Sequence, residues 1–351
     1  MGKFSSDLIL WYKDHKRDLP WRETTEVYCI WVSEIILQQT RVNQGLSYYY
    51  NFLENFPTVH KLANATEDEV LKCWQGLGYY SRARNMHAAA KFVSEQLKGV
   101  FPTSYDGLLQ LKGVGTYTAA AISSICFNEQ KTVVDGNVFR VLTRIYGIET
   151  AINTANGKKE VEELAQSLND GDSYGDFNQA IMEFGALHCT PKLPKCDTCI
   201  FAQSCWALKN SKVDVLPIKE KTLKIKKRYL TYLFVKDKEG NTIIQRRNEN
   251  DIWKGLYQFP LLEHSRKCSV QSVLEQTEFV ELIGLQSIKI RKEDNVKHIL
   301  THRHLFIKVL FIELDNLESF SQDGYQLVHH SELNSFAFPK PLSNIWEEWD
   351  K

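Results

Sequence analysis

The sequence predicts two domains of different class: an all-α domain over residues 1–210 and an α+β domain over residues 229–351, joined by a linker at 211–228. Three observations carry this reading. At 351 residues the chain is too long for one ordinary core. From residue 4 to about 210, apolar side chains recur at intervals of three and four, with Gly or Pro at the breaks. Beyond residue 228 the period switches to that of strands.

A first helix carries Leu8, Leu10 and Trp11. Met1-Gly2-Lys3-Phe4-Ser5-Ser6 fits the loose N-myristoylation template, but it reads better as the frayed start of that helix. The loop Leu19-Pro20-Trp21-Arg22 precedes a strongly apolar helix from Val27 to about Val42. Further helices are expected at 44–55, 67–74, 81–98, 104–111, 116–127, 136–146, 158–169 and 174–187. Between two of them, Gly113 and Gly115 bracket Val114, a tight hairpin whose bare backbone can approach a partner closely. The small-residue helix that follows, with Thr118, Ala119, Ala120 and Ala121, offers unpaired N–H groups to an anion such as a backbone phosphate. Residues 75–81 echo this turn, with the same Gly-apolar-Gly-X-Tyr order as 112–118.

In the linker, residues 219–228 hold six basic residues and one acidic, which suits either a segment lying near phosphate or an ordinary solvated connection. Strands follow at Tyr229–Val235 and Thr242–Arg246, flanking Lys238-Glu239-Gly240-Asn241, a hairpin signal. A second β-rich run fills 297–314, and a helix is expected over 270–278.

Composition narrows the function classes. Net charge is zero, with 43 basic and 43 acidic residues, which argues against a strongly basic nucleic-acid binder; any such binding must come from local patches. Residues 1–230 carry +3 (28 against 25) and residues 231–351 carry −3 (15 against 18), a weak asymmetry. No run of 18 apolar residues exists and the start lacks a signal-peptide pattern, so a cytoplasmic location without a membrane anchor is expected. Of eight cysteines, four fall within seventeen residues at short spacings, which favours a reducing compartment and a metal centre over disulfides. Cys29, Cys73, Cys126 and Cys268 lie apart and read as buried thiols.

Cys189-X6-Cys196-X2-Cys199-X5-Cys205 is the strongest chemical signal: four thiolates able to enclose one soft centre, either zinc or a 4Fe–4S cluster. Lys192 and Lys195 inside this loop are placed to meet phosphate or to be merely solvated. Glu34 lies on the apolar helix, with Ile30, Trp31, Leu37 and Gln38 as its neighbours one turn away. Desolvation there raises a carboxyl's pKa and makes it a usable general acid, unless it is a buried ion pair. Asp135, at the end of an apolar run, is both a favoured helix N-cap and a candidate second carboxylate; cleaving a glycosidic bond needs a proton for the leaving group and a negative charge beside the sugar.

Together these segments resemble the adenine DNA glycosylases of the MutY type, within the helix-hairpin-helix glycosylase superfamily. The resemblance is carried in order by LPWR at 19–22, SEIILQQTRV at 33–42, WQGLGYYSRAR at 74–84, LKGVGTYTA at 111–119, DGNVFRVLTR at 135–144, NQAIMEFGALHC at 178–189 and the cysteine loop 189–205. It implies a base-excision-repair enzyme that acts, as a monomer, on double-stranded DNA and removes a flipped-out adenine mispaired with 8-oxoguanine or guanine. It further implies that Glu34 donates the proton and later activates water, that Asp135 stabilises the oxocarbenium-like sugar, and that the cysteines hold a 4Fe–4S cluster. Tyr117 stands where the related endonuclease III enzymes carry a nucleophilic Lys, so a monofunctional glycosylase is expected. Gln39, Thr40, Leu77 and Tyr79 match residues that wedge into the stack, and Trp21, Arg22 and Gln179 match the lining of the adenine pocket.

The second domain resembles the Nudix-like domain of this family, without the acidic helix that holds metal: Ser269–Gln276 stands in its place. Its implied role is 8-oxoguanine recognition through a turn matched by Leu300-Thr301-His302, where Leu300 departs from the family's aromatic residue. The other readings are an endonuclease III-like glycosylase and lyase for oxidised pyrimidines, and a non-catalytic iron–sulfur DNA-binding module. The first is opposed by Tyr117 and the appended domain, the second by the retention of both Glu34 and Asp135.

Overall fold

The structure, a computed structural model, describes residues 2–220, 225–284, 287–317, 320, 322–343 and 345–349. The chain forms two compact units, residues 1–64 with 85–221, and residues 65–84 with 222–351. The segment 65–84, expected in the first domain, thus groups with the second. Part of the basic linker, residues 221–224, lies outside the described residues.

The helices run α1 (Lys3–His15), α2 (Val27–Leu37), α3 (Val42–Asn55), α4 (Val59–Asn64), α5 (Glu67–Cys73), α6 (Ser81–Glu95), α7 (Tyr105–Leu108), α8 (Thr116–Phe127), α9 (Gly136–Tyr146), α10 (Ala155–Leu168), α11 (Tyr174–Leu187) and α12 (Trp206–Lys209). The helix expected from Val27 to Val42 is interrupted. It stops at Leu37 because Gln38 leaves the helical region at ψ 111° and Gln39 then takes φ +56°, a left-handed conformation, so the i to i−4 ladder is broken; α3 restarts at Val42 after an extended Arg41. Helix α4 was not legible, and α7 is a single turn rather than the eight residues expected.

In the first unit α1, α9 and α11 share a core of Leu8, Trp11, Val138, Leu142, Phe177 and Phe184. Removing one such Leu or Phe side chain from a packed core costs about 2–5 kcal/mol. The alanines Ala119, Ala120 and Ala121 of α8 are buried, and small side chains let its neighbours approach. Gly175 of α11 shows how close: a Cβ there would sit 2.9 Å from the Ile125 Cα and the Ser124 carbonyl of α8. Asn178, also on α11, completes the junction by donating to Ser124 Oγ (2.8 Å) and accepting from the Val133 amide (3.0 Å). The residues next along α11 are thereby held against α8 and the start of α9.

Among the described residues the second unit contains two sheets. Strands β1 (Lys226–Lys236), β2 (Asn241–Arg246), β3 (Tyr257–Gln258), β4 (Leu261–His264), β5 (Ile288–Ile299), β6 (Arg303–Leu314) and β7 (Tyr325–His329) are ordered β4-β1-β6-β5 and β3-β2-β7. The expected hairpin between the first two strands does not form. A turn is present, closed by the Asn241 amide on Asp237 Oδ1 at 2.7 Å, with Gly240 at φ +86°. However, β1 already has β4 on one edge and a parallel β6 on the other, so β2 pairs with β3 and β7. Residues 230–235 of β1 are buried without alternation because both sheet faces are covered. One face meets Phe259 and Phe338, the other Phe279 and Leu282 on the short helices α13 (Val270–Leu274) and α14 (Thr277–Ile283). Those two replace the single helix expected over 270–278, because Gln276 is extended and caps the second.

Candidate active site

Three side chains from three elements of the first unit converge. Glu34, on α2, is 7% exposed. Its carboxyl is pushed up to about 7, first by burial and then by the negative charge of Asp135, while the Tyr117 hydroxyl within its reach pulls the other way. No cation is among these influences, which sets aside the buried ion pair. Asp135 is the N-cap of α9: its Oδ1 accepts from the amides of Asn137 (2.8 Å) and Val138 (2.9 Å), and its Oδ2 from the Asn137 side chain (2.7 Å). Those bonds favour its charged form, although burial outweighs them and raises its pKa above the ordinary carboxylate value. The capping role and the electrostatic role are therefore filled by the same carboxylate.

Tyr117 sits in the first turn of α8, its pKa raised by burial and then by the charges of Glu34 and Asp135. Its hydroxyl donates to Met182 Sδ on α11 at 3.1 Å. Gln38, at the C-cap of α2, donates to Thr118 Oγ1 at 3.1 Å and ties the glutamate's helix to the tyrosine's.

Just before Tyr117, Gly113 has φ +84° and a Cβ there would fall 2.7 Å from Asn85 Cβ, so both backbone and packing require glycine. Gly115 has an ordinary φ of −93° and nothing within 4 Å of a Cβ. The space beside it is open on an exposed hairpin, whereas Val114 between them is buried. The echo at 75–81 is one of sequence and not of path: Gly76 and Gly78 are both left-handed, at φ +99° and +78°.

Trp21, Arg22 and Gln179 line one cavity of about 260 Å³, together with Tyr12, Ser124 and Asp176. Glu34, Asp135 and Tyr117 are not part of its lining. Arg22 is largely committed elsewhere: its Nη1 and Nη2 bond Glu183 at 2.9 and 2.8 Å, and Arg17 binds the same carboxylate at 2.8 and 2.6 Å. Glu183 is buried, yet its pKa is held down at about 2, because these bonds outweigh desolvation. The Nε of Arg22 is buried with no protein partner.

The four cysteines of the 189–205 loop are all free thiols and line a common cavity with Arg144, Phe184 and His188. Among the described residues, no group of three or more His, Cys, Asp or Glu is gathered in a metal-holding arrangement. Two donors nevertheless aim at sulfur, Arg144 Nη1 on Cys189 (3.5 Å) and the Phe201 amide on Cys199 (3.4 Å), although burial outweighs them and pushes the Cys189 thiol up and the Cys199 thiol up to about 11. The loop is anchored by two buried arginines one turn apart on α9, whose role was not legible in the sequence. Arg140 binds the carbonyls of Cys189 and Gly185, both at 2.7 Å. Arg144 binds those of Thr190 (2.8 Å), Leu216 (3.1 Å) and Pro191 (3.3 Å). Two arginines at i and i+4 among the apolar residues Val138, Phe139, Val141, Leu142 and Ile145 were the available signal. Cys29, Cys73, Cys126 and Cys268 are half-buried rather than buried.

Gln39 is exposed in its left-handed bend with Thr40 beside it. In the second unit Leu77 is only 8% exposed, contrary to a wedge presented to solvent, while Tyr79 is half exposed at φ +48°. Thr301 and His302 form the exposed tip of the β5–β6 hairpin, which is closed by the Leu300 amide on the Arg303 carbonyl at 2.8 Å. The Tyr79 and Thr301 hydroxyls share a hydrogen bond of 2.8 Å. Arg303 reaches back to Asp251 Oδ1 at 2.5 Å, and Arg228 and Arg247 hold the same carboxylate, so the turn rests on a charged cluster.

Residues 32–169 match the model of the HhH-GPD superfamily base excision DNA repair protein, and residues 231–348 that of the NUDIX domain. The adenine DNA glycosylase of Buchnera aphidicola subsp. Acyrthosiphon pisum is 32% identical over 99% of this chain and 98% of its own length. The chain belongs to the adenine DNA glycosylase family. The human adenine DNA glycosylase is 44% identical over 58% of this chain and 39% of its own length. Among solved structures, a thermostable thymine-DNA glycosylase matches with a TM-score of 0.55 and 30% identity, over 59% of this chain and 95% of the other. A non-covalent complex of endonuclease III with DNA matches with a TM-score of 0.52 at 20% identity, over 59% and 94%, a likeness of fold. The adenine glycosylase reading of the motifs and the pairing of a helical with a Nudix-like domain are thus borne out. Among the described residues no helix is long and apolar enough to cross a membrane.

Proposed function

We propose that the protein is a monofunctional DNA glycosylase that hydrolyses the N-glycosidic bond of adenine paired with 8-oxoguanine. The observation that carries the reading is Glu34, a buried carboxyl with a pKa of about 7 beside Asp135. At neutral pH a carboxyl so placed is about half protonated, the condition a general acid needs. Glu34 donates its proton to the departing adenine ring, and the anion left behind accepts one from the attacking water. Asp135, held by two amides and a side-chain amide, supplies the negative charge beside the sugar as positive charge develops there.

Tyr117 offers a phenol where a Schiff base would need an amine, so the strand is left whole. The cavity lined by Trp21, Arg22 and Gln179 takes the flipped adenine. The hairpin at Gly113–Gly115 meets backbone phosphate, Gln39, Thr40 and Tyr79 contact the duplex while Leu77 stays buried, and Thr301 with His302 probes the 8-oxoguanine. Cys189, Cys196, Cys199 and Cys205 would hold a 4Fe–4S cluster, which when bound cross-links the 189–205 loop through four thiolates.

A single-turnover assay on duplex with adenine opposite 8-oxoguanine, with and without alkali, tests the reading. Strand breaks are expected only after alkali, and Glu34→Gln is expected to bind the duplex without releasing adenine. Breaks from the pure enzyme without alkali would contradict the monofunctional mechanism.

A further inference from the structure

Tyr117 has one hydroxyl hydrogen and two acceptors competing for it. One is the thioether of Met182, which receives it at 3.1 Å; the other is the carboxyl of Glu34, whose pKa the hydroxyl lowers. Met182 is a partly buried residue of α11, held against α8 by the close approach at Gly175 and the Asn178 bonds. It packs with Tyr117, Tyr105 and Ile125 around Ala120, Ala121 and Val133. Nothing in a packing role alone would aim its sulfur at the phenol, since a leucine fills a similar volume.

We propose that Met182 is a positioning residue that lets the Tyr117 hydroxyl turn with the protonation state of Glu34. When Glu34 is protonated, the phenol hydrogen points to Met182 and the phenol oxygen is free to accept from the carboxyl. When Glu34 has given up its proton, the hydrogen turns to the carboxylate. No proton crosses Tyr117; only its O–H direction changes. The thioether is a weak acceptor, suited to hold the hydrogen in one state and release it in the other. Without that acceptor the protonated state would leave the phenol hydrogen buried and unpaired, and Glu34 would lose its proton more readily. The other titratable groups facing the pair are Asp135 at the start of α9, Cys126 at the end of α8 and Tyr105 on α7. On α11 the neighbouring Glu183 is engaged by Arg17 and Arg22.

The inference rests on Glu34 being the acid of the proposed reaction, but its first test needs no reaction. Titration of the Glu34 side-chain carboxyl by ¹³C NMR in the free protein is expected to show its midpoint lowered by about 0.5–1 pH unit in Met182→Leu, the size one neutral hydrogen bond supports. Met182→Gln, which restores an acceptor, is expected to return it toward wild type. In a Tyr117→Phe background Met182→Leu should move nothing. In the single-turnover assay the alkaline limb should move by the same amount in Met182→Leu, with the rate at about pH 5, below both midpoints, little changed. A midpoint identical in Met182→Leu and wild type, or a shift that persists without the phenol, would overturn the proposal even if adenine is released. A midpoint that moves as expected in a protein that releases no adenine would sustain it and refute the proposed reaction instead.

Discussion

Replacing Glu34 by glutamine should stabilise the protein at pH 8 and not at pH 5. The carboxyl is lifted from its ordinary 4.5 to about 7, chiefly by burial and then by Asp135. Because the folded value is the higher one, the folded state binds more protons than the unfolded state between those two pH values, and stability falls as pH rises through that window. Below about 4.5 both states are protonated and the site imposes no electrostatic cost. Above about 7 the full cost is present. A lift of that size corresponds to about 3 kcal/mol, at about 1.4 kcal/mol per pH unit. Glutamine removes the ionisation but keeps the shape, so subtracting its effect at pH 5 from that at pH 8 isolates the charge. The assay is denaturant unfolding at the two pH values, followed by a probe in the unit containing Glu34. A gain at pH 8 about 2–3 kcal/mol larger than at pH 5 is expected. An equal effect at both would refute the argument, since it would mean that Glu34 is not held in its acid form by the fold.

The same pKa sets the rate: with Glu34 required as acid, the single-turnover rate should fall about tenfold per pH unit well above pH 7, and a flat profile to pH 9 would exclude it as proton donor. Gly113→Ala, strained at φ +84° and set against Asn85, should cost about 1–3 kcal/mol of stability as well as DNA affinity. Gly115→Ala meets no neighbour and should leave the melting temperature in place while weakening duplex binding, read by fluorescence anisotropy. Arg144→Met would strip partners from three carbonyls and from Cys189; on the proposed 4Fe–4S assignment it should lower the iron content and visible absorbance of the purified protein, measured against a wild-type preparation.

Where the sequence was readable, the reason is local. Helices α8 and α9 begin within a residue of their expected starts because Gly113 and Asp135 mark them: the turn before α8 needs glycine at 113, and the N-terminus of α9 needs a side-chain acceptor. Glu34 stood out because a charge on an apolar helix is visible without coordinates. The break at 38–41 was not visible, since no Gly or Pro marks it and only the conformations of Gln38, Gln39 and Arg41 separate α2 from α3. Sheet partners were equally hidden. The turn at 237–241 has the composition of a hairpin, but which edges of β1 remain free depends on strands seventy residues further on.

The hairpin glycines, the capping Asp135 and the cysteine spacing were therefore determined by sequence alone, because each states a chemical requirement in consecutive or closely spaced residues. What only the tertiary structure decided is how those groups are conditioned. Burial beside Asp135 brings Glu34 to about 7, Met182 reaches Tyr117 from 65 positions away, and Arg144 reaches the cysteine loop from another helix. Desolvation and hydrogen bonding act over a few ångströms of space, and distance along the chain says nothing about them until the helices are packed.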